Sequence, residues 1–119
     1  MVKRRISDSD GIAAISTWRR LGEDTDRQHL LTAVRWSLEE LAALHPGGAV
    51  EIRVPPAGVT QAFSGTTHRR GTPPAVIETD PHTWLALVTG AVTWDEAVRA
   101  GSVEASGQRT DLAAHLPLM

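Results

Sequence analysis

Two helices and a strand follow one another between Glu78 and Gly107, and their start and stop signals constrain the fold strongly. Asp80 has a side chain that caps helices, and Pro81 occupies the first helical position, where a missing N–H costs nothing. Apolar residues then recur at helical spacing until Gly90, a residue suited to the left-handed conformation that ends many helices. These apolar residues are Trp84, Leu85, Leu87 and Val88.

The second helix of this stretch begins at a capping box. Thr93 and Glu96 have the spacing at which each side chain binds a free amide of the first turn. Gly101 ends this short helix, and residues 102–106 then alternate between apolar and polar as a half-buried strand does. The residues expected to face inward on the short helix are Trp94, Ala97 and Val98.

Two further helices are predicted before this stretch. Residues 1–9 read as a flexible basic arm, after which Ser9 or Asp10 caps a helix that ends at Gly22. A longer helix starts near Asp26 and carries a broad apolar face, wide enough to cover a sheet. The apolar positions of the first helix are Ile12, Ile15, Trp18 and Leu21, and those of the second are Leu30, Leu31, Val34, Leu38, Leu41 and Ala42.

The middle of the chain predicts strands. Residues 50–54 and 59–63 alternate on either side of a Pro-Pro turn, which is typical of a hairpin, and residues 67–70 and 75–79 predict two more strands. The first three strands form an antiparallel meander, whereas the two helices after residue 79 make a crossover that permits parallel pairing. We therefore expect one α+β domain over residues 1–119, with a mixed five-stranded sheet covered mainly on one face by helices.

Composition narrows the functional classes. The chain has 119 residues, 41% of them hydrophobic and 22% charged, which is typical of one soluble globular domain. A formal net charge of -2 argues against general binding to nucleic acid, although transient membrane contact stays open. The absence of cysteine suits a cytoplasmic protein. We read no signal peptide in MVKRRISDSDG and no run of about 20 apolar residues that would span a membrane.

No known catalytic or metal-binding pattern stands out. The histidines do not show the H-x-x-x-H spacing that places two imidazoles on one helical face. Nucleophile elbows, phosphate loops and dinucleotide glycine patterns are also missing from the sequence. We therefore predict no catalytic residue, no metal and no cofactor. The five histidines are His29, His45, His68, His82 and His115.

One polar cluster has two interpretations. His68, Arg69 and Arg70 precede a Gly-Thr-Pro-Pro loop, and two guanidinium groups on a rigid loop could bind a carboxylate or phosphate head group. The same charges could simply protect an edge strand from pairing with another chain. Arg53 could join such a site, or could pair with Glu51 or Glu78.

The order of these elements resembles the sterol carrier protein family, and in particular its short bacterial orthologues. The resemblance is carried by VPPAGVTQAFSG, HRRGTPPAVIETDP, WLALVTG, VEASG and LPL, and it covers about residues 30–119. It implies a sterol-carrier-like fold that holds a lipid between the sheet and its helices. One departure is that the chain reaches Met119 directly after LPL, where larger carriers continue; a short helix, Leu112–Leu116, is expected there instead.

The resemblance implies a small non-enzymatic carrier for an apolar ligand: fatty acyl, isoprenoid or sterol-like. Two alternatives stay open: an accessory or protein-interaction module with a filled core, similar to the extra domains of thiol-dependent isomerases, and an enzyme around His68. The oligomeric state is also open. The residues that we expect to line the ligand site are Leu38, Leu41, Ile52, Val54, Phe63, Ile77, Trp84, Leu87, Val88, Trp94 and Val98, with Arg53, His68, Arg69 and Arg70 at the head group.

Overall fold

The computed structural model describes residues 5–64, 75–106 and 112–119. Helices and strands follow one another in an order close to the one predicted. The elements are α1 (Asp8–Leu21), a 3-10 turn (Gly22–Asp24), α2 (Arg27–Leu44), β1 (Val50–Val54), β2 (Gly58–Ala62), β3 (Ala75–Thr79), α3 (Pro81–Thr89), α4 (Trp94–Arg99) and β4 (Val103–Ser106).

The sheet formed by the described residues has four strands, not five, in the order β2-β1-β3-β4. The additional strand expected at 67–70 lies outside the described residues. β1 and β2 form the predicted antiparallel hairpin, in which Ile52 lies opposite Thr60. The mixed α+β architecture is therefore confirmed, while the expected number of strands is not met in the part of the chain that the structure describes.

The parallel pair occurs at a different place from the one expected. β3 runs parallel to β1, with Ile52 opposite Ile77, whereas β3 and β4 are antiparallel. The last residue of β3, Thr79, lies opposite the first residue of β4, Val103, and its hydroxyl donates to the Ser102 carbonyl at 2.7 Å. The helices α3 and α4 thus return the chain to the end of the sheet that it left, which requires antiparallel pairing.

Helices cover one face of this sheet, as predicted. The inward residues of β1 are almost fully buried, while Glu51 and Arg53 between them point to the other face. α2 packs on the sheet, and α1 and α3 pack against α2. The buried strand residues on the helix side are Val50, Ile52, Val54, Ala62, Ala75 and Ile77.

The caps of α3 and α4 are those read from the sequence. Asp80 accepts a hydrogen bond from the Thr83 amide, and Gly90 ends α3 in the left-handed conformation at φ 81°. Thr93 and Glu96 form both bonds of the capping box at the start of α4. The two helices are therefore fixed by local signals as well as by packing.

α1 begins earlier than predicted, and two of the four predicted apolar positions face the core: Ile15 is buried and Trp18 is partly buried. Ser7, rather than Ser9 or Asp10, caps it by accepting from the Asp10 amide at 3.1 Å. Its buried residues are Gly11, Ala14 and Ile15. The other two predicted positions, Ile12 and Leu21, are 46% and 41% exposed. They lie nine residues apart and therefore on opposite sides of the helix, at the two edges of the buried face.

The two ends of the described chain lie against the rest of the fold. The amides of Arg5 and Ile6 donate to Glu39 Oε1 at 3.2 Å each, so these two residues lie against α2. The flexibility expected of residues 1–9 stays a prediction. At the other end, the helix expected over Leu112–Leu116 is a turn at residues 113–115, where the His115 amide donates to the Leu112 carbonyl. Leu112 is 1% exposed and joins the core without a helix.

Three tryptophans donate their indole N–H groups to a neighbouring helix. Trp36 of α2 donates to Asp8 of α1 at 3.0 Å, and Trp18 of α1 donates to His82 Nδ1 of α3 at 3.0 Å. The third bond, from Trp84 of α3 to Ser37 of α2, lies in the buried core. Indoles supply a large apolar surface with one polar atom, and here that atom fixes how the helices sit on one another.

Candidate ligand-binding site

Most of the residues predicted to line a ligand site lie together on the inner side of the sheet. Nine are buried in one hydrophobic cluster, and Phe63 is partly buried against it. The structure therefore brings them together in the core, and their role in lining a ligand site stays a prediction. The nine buried residues are Leu38, Leu41, Ile52, Val54, Ile77, Trp84, Leu87, Val88 and Trp94.

The centre of this cluster is occupied by protein side chains. Trp84 is 0% exposed and its indole N–H donates to the Ser37 hydroxyl at 2.8 Å. Ser37 in turn donates to the Val34 carbonyl at 2.7 Å, so both polar groups are satisfied inside the core. Ile52 and Ile77 on the sheet are also 0% exposed. The described side chains thus pack sheet against helices, and an apolar ligand would have to displace them to lie between the layers.

Val98 does not belong to this site. Its side chain is 46% exposed, although Trp94 and Ala97 of the same helix are buried at 7% and 2%. A helix of six residues has little length, and Trp94 and Ala97, three positions apart, take up its inward face. The prediction that Val98 faces inward is wrong.

Of the four predicted head-group residues, the structure describes Arg53. Arg53 binds Glu51 with Nη2 to Oε2 at 2.5 Å, and its side chain is half exposed on the uncovered face of the sheet. Of the two pairings considered for Arg53, the structure shows the one with Glu51. His68, Arg69 and Arg70 lie outside the described residues.

A ring cluster closes one end of the core. Phe63 lies between His45 and His115, with ring centroids 5.0 Å and 4.6 Å apart, and the two imidazoles are 4.7 Å from each other. Phe63 has a positive φ of 68°, which is unusual for a bulky side chain. Its amide donates to the His45 carbonyl and its carbonyl accepts from the Ala49 amide, and these bonds hold that conformation.

A surface groove that sequence reasoning missed lies between α2, the turn after β1, and residues 5 and 6. It measures about 460 Å³, within the size range of small-molecule sites. Arg35 is held at its edge, because Nε donates to the Ala57 carbonyl at 2.7 Å. Residues 5, 35 and 59 come from three separate parts of the chain, and no local sequence pattern predicts that they lie close together. The lining residues are Arg5, Ile6, Arg35, Leu38, Glu39, Ala57, Gly58, Val59 and Thr60.

Among the described residues, the carboxylates with a clearly shifted pKa, Asp80 and Asp26, are helix caps. Partial burial acts to raise the pKa of Asp80, but hydrogen bonds from the Thr83 hydroxyl and amide outweigh it and leave the pKa below its usual value. The side-chain hydrogen bond with His29 lowers the pKa of Asp26, and the His29 amide adds to this. Within the described ranges, no three His, Cys, Asp or Glu side chains are grouped to hold a metal ion.

The helices are too short or too polar to cross a bilayer in the part of the chain that the structure describes. The described sheet, with helices on one face and an apolar layer between them, defines an α+β fold. The family model described as bacterial SCP ortholog matches residues 26–118. The chain belongs to this family, which confirms the suspected relation to sterol carrier proteins. The match begins at the cap of α2, so α1 precedes it. No curated protein matches the chain.

Proposed function

We propose that this protein is a non-catalytic carrier that binds a small apolar or amphipathic molecule, of the fatty acyl, isoprenoid or sterol-like class. The observation that carries this proposal is membership of the bacterial SCP ortholog family over residues 26–118. The fold supports it, since a sheet with one covered face supplies a continuous apolar layer. Burial of apolar ligand surface, at about 25 cal/mol per Å², would drive binding.

Binding between the layers would require a change in the packed core. Trp84 is fully buried in the core and bonded to Ser37 of α2, so α2 or α3 would have to move outward for a ligand to contact Ile52 and Ile77. In that case the nine buried residues and Phe63 form its walls. A ligand that stays in a surface groove would leave the bond between Trp84 and Ser37 intact. The two modes differ in whether the indole N–H of Trp84 becomes exposed to solvent exchange.

Native mass spectrometry of the protein as purified tests the proposal, followed by denaturing extraction and lipid analysis. The expected result is a co-purified apolar molecule at near-stoichiometric amount, whose extraction names the ligand class. A protein of apo mass that gains nothing on incubation with fatty acids, acyl-CoA, isoprenoid alcohols and sterols would contradict it.

A second candidate is an accessory or protein-interaction module, and the packed core favours it. The described surface also exposes several large apolar side chains, which a protein partner could cover. An apo protein that stays apo with every lipid tested would support this candidate over the carrier. The exposed apolar residues are Ile12, Leu21, Leu44, Val59, Val98 and Met119.

A further inference from the structure

The groove beside α2 combines an apolar wall with fixed positive charge. Leu38 and Ala57 form buried parts of its lining, and Val59, which is 59% exposed, forms an outer part. Arg5 and Arg35 carry positive charge on its rim, and Glu39 carries the negative charge. The groove is therefore net positive, while the whole chain has a net charge of -2.

Arg35 is positioned before any ligand arrives. Its Nε donates to the Ala57 carbonyl, which fixes the plane of the guanidinium group against the turn. Gly58 lies next to it, since a Cβ there would be 4.0 Å from Arg35 Cγ and 3.7 Å from Leu38 Cδ1. Among the described residues this is the hydrogen bond that the Arg35 side chain makes, so its terminal nitrogens are available to a ligand. A guanidinium that is already fixed loses little side-chain entropy on binding an oxyanion.

Glu39 offsets the charge of one arginine, but it is fixed in place. Its Oε1 accepts hydrogen bonds from the amides of Arg5 and Ile6, so it is engaged in holding the N-terminal segment along the groove. The same bonds place Ile6 on the apolar side. One carboxylate thus builds a wall of the groove, and the two arginines together leave the lining with one net positive charge for an incoming anion.

We propose that this groove binds an amphipathic organic anion, a carboxylate with a short apolar chain, with Arg35 and Arg5 at the carboxylate and Ile6, Leu38 and Val59 along the chain. The inference rests on the proposed function in assigning an apolar ligand, and adds its charge and its place outside the core. The groove is an open surface site of about 460 Å³, and a short single chain is the probe that stays soluble as a monomer.

Titration of the full chain with decanoate, decanol and acetate, followed by amide NMR, tests this assignment. We expect decanoate to bind about tenfold or more tightly than decanol, as a charge-assisted hydrogen bond to a guanidinium implies. Acetate should bind far more weakly than decanoate because it buries little apolar surface. The Gly58 and Thr60 amides should shift with decanoate, since both residues line the groove.

Variants separate the groove from the rest of the fold. We expect decanoate binding to weaken about tenfold or more in Arg35→Gln and in Val59→Asp. Decanol binding should change less in Arg35→Gln, because decanol has no charge for the guanidinium to bind. Arg5→Gln keeps the backbone bond to Glu39 and should weaken decanoate by a few fold, because an exposed charge contributes less. Arg27→Gln makes the same charge change on α2 outside the groove and serves as the control.

The outcomes are distinct from those for the proposed function. The protein could co-purify with a lipid and yet bind decanoate no better than decanol, or bind decanoate equally in Arg35→Gln and Arg27→Gln. Either result would overturn the assignment of the groove and leave the carrier function standing. A protein that carries no lipid and binds none of the probes overturns both. If Arg35→Gln disturbs the turn through Ala57, then Val59→Asp, at an exposed position, still decides the question.

Discussion

Trp84 of α3 donates its indole N–H to the hydroxyl of Ser37 on α2 at 2.8 Å, and both side chains have no exposed surface. This single polar contact fixes the distance between two helices over the sheet. It also occupies the space that a ligand between the layers would need. Binding of a ligand between the layers, as proposed, would therefore have to break the contact that packs these two helices together.

Replacing Ser37 by Ala should destabilise the protein by about 1–3 kcal/mol, because the buried indole N–H loses its partner. Denaturant unfolding measures this difference. Trp84→Phe removes the donor itself, and the double variant completes a cycle in which the interaction energy is obtained directly. A Ser37→Ala protein within about 0.5 kcal/mol of the parent would show that the bond is not important for packing.

Gly11→Ala should destabilise the protein, although alanine is the better helix former by about 1 kcal/mol. A Cβ at position 11 would lie 2.0 Å from Cγ of Trp36, so α1 must move away from α2. Overpacking of this kind costs about 1–3 kcal/mol. Ser16→Ala, at an exposed position of α1, is the matched control. A more stable Gly11→Ala protein in thermal unfolding would contradict the close contact.

The burial of Val98 and Val88 can be compared by the same substitution. Val88→Thr places a hydroxyl at a position that is 0% exposed and should cost more than about 1 kcal/mol. Val98→Thr, at 46% exposure, should change stability by less than about 0.5 kcal/mol. Equal losses of unfolding free energy in the two variants would contradict the exposure of Val98 and indicate that it is buried.

The cap of α3 should make stability depend on pH at the acid end. The pKa of Asp80 is lowered in the folded protein, so its contribution is present above the ordinary aspartate value of 3.8 and is lost as pH falls below it. Asp80→Ala should cost about 0.5–2 kcal/mol at neutral pH, and Asp80→Asn less, because asparagine also caps. Both variants should lose the part of the acid dependence that Asp80 supplies. An unchanged pH profile of unfolding in Asp80→Asn would contradict this.

Local signals explain what the sequence predicts well. Asp80, Gly90 and the pair Thr93–Glu96 act on amides and carbonyls within a few residues, so caps could be assigned without knowledge of the fold. The face of α1 was assigned only near its middle, at Ile15 and Trp18, because steps of three residues drift around a helix. Gly11 has no apolar side chain to reveal its place, yet it lies on the buried face of α1, because the ring of Trp36 packs directly against its backbone.

Features formed by residues far apart in the chain could not be predicted from the sequence. Whether β4 runs parallel or antiparallel to β3 depends on where α4 delivers the chain, and no residue in β4 encodes this. The groove depends on Glu39 holding the amides of Arg5 and Ile6, contacts more than thirty positions apart in the chain. The family resemblance, in contrast, rested on the order of many local signals, and the match over residues 26–118 confirms it.

The most direct test of the carrier function is the melting temperature of delipidated protein in the presence of candidate ligands. A ligand that binds the folded state at a hundred times its dissociation constant stabilises it by about 2.7 kcal/mol, which raises the melting temperature by several degrees. We predict a saturable rise with at least one fatty carboxylate, isoprenoid or sterol. No shift with any of them, at concentrations up to their solubility, would contradict the central claim that this protein carries an apolar ligand.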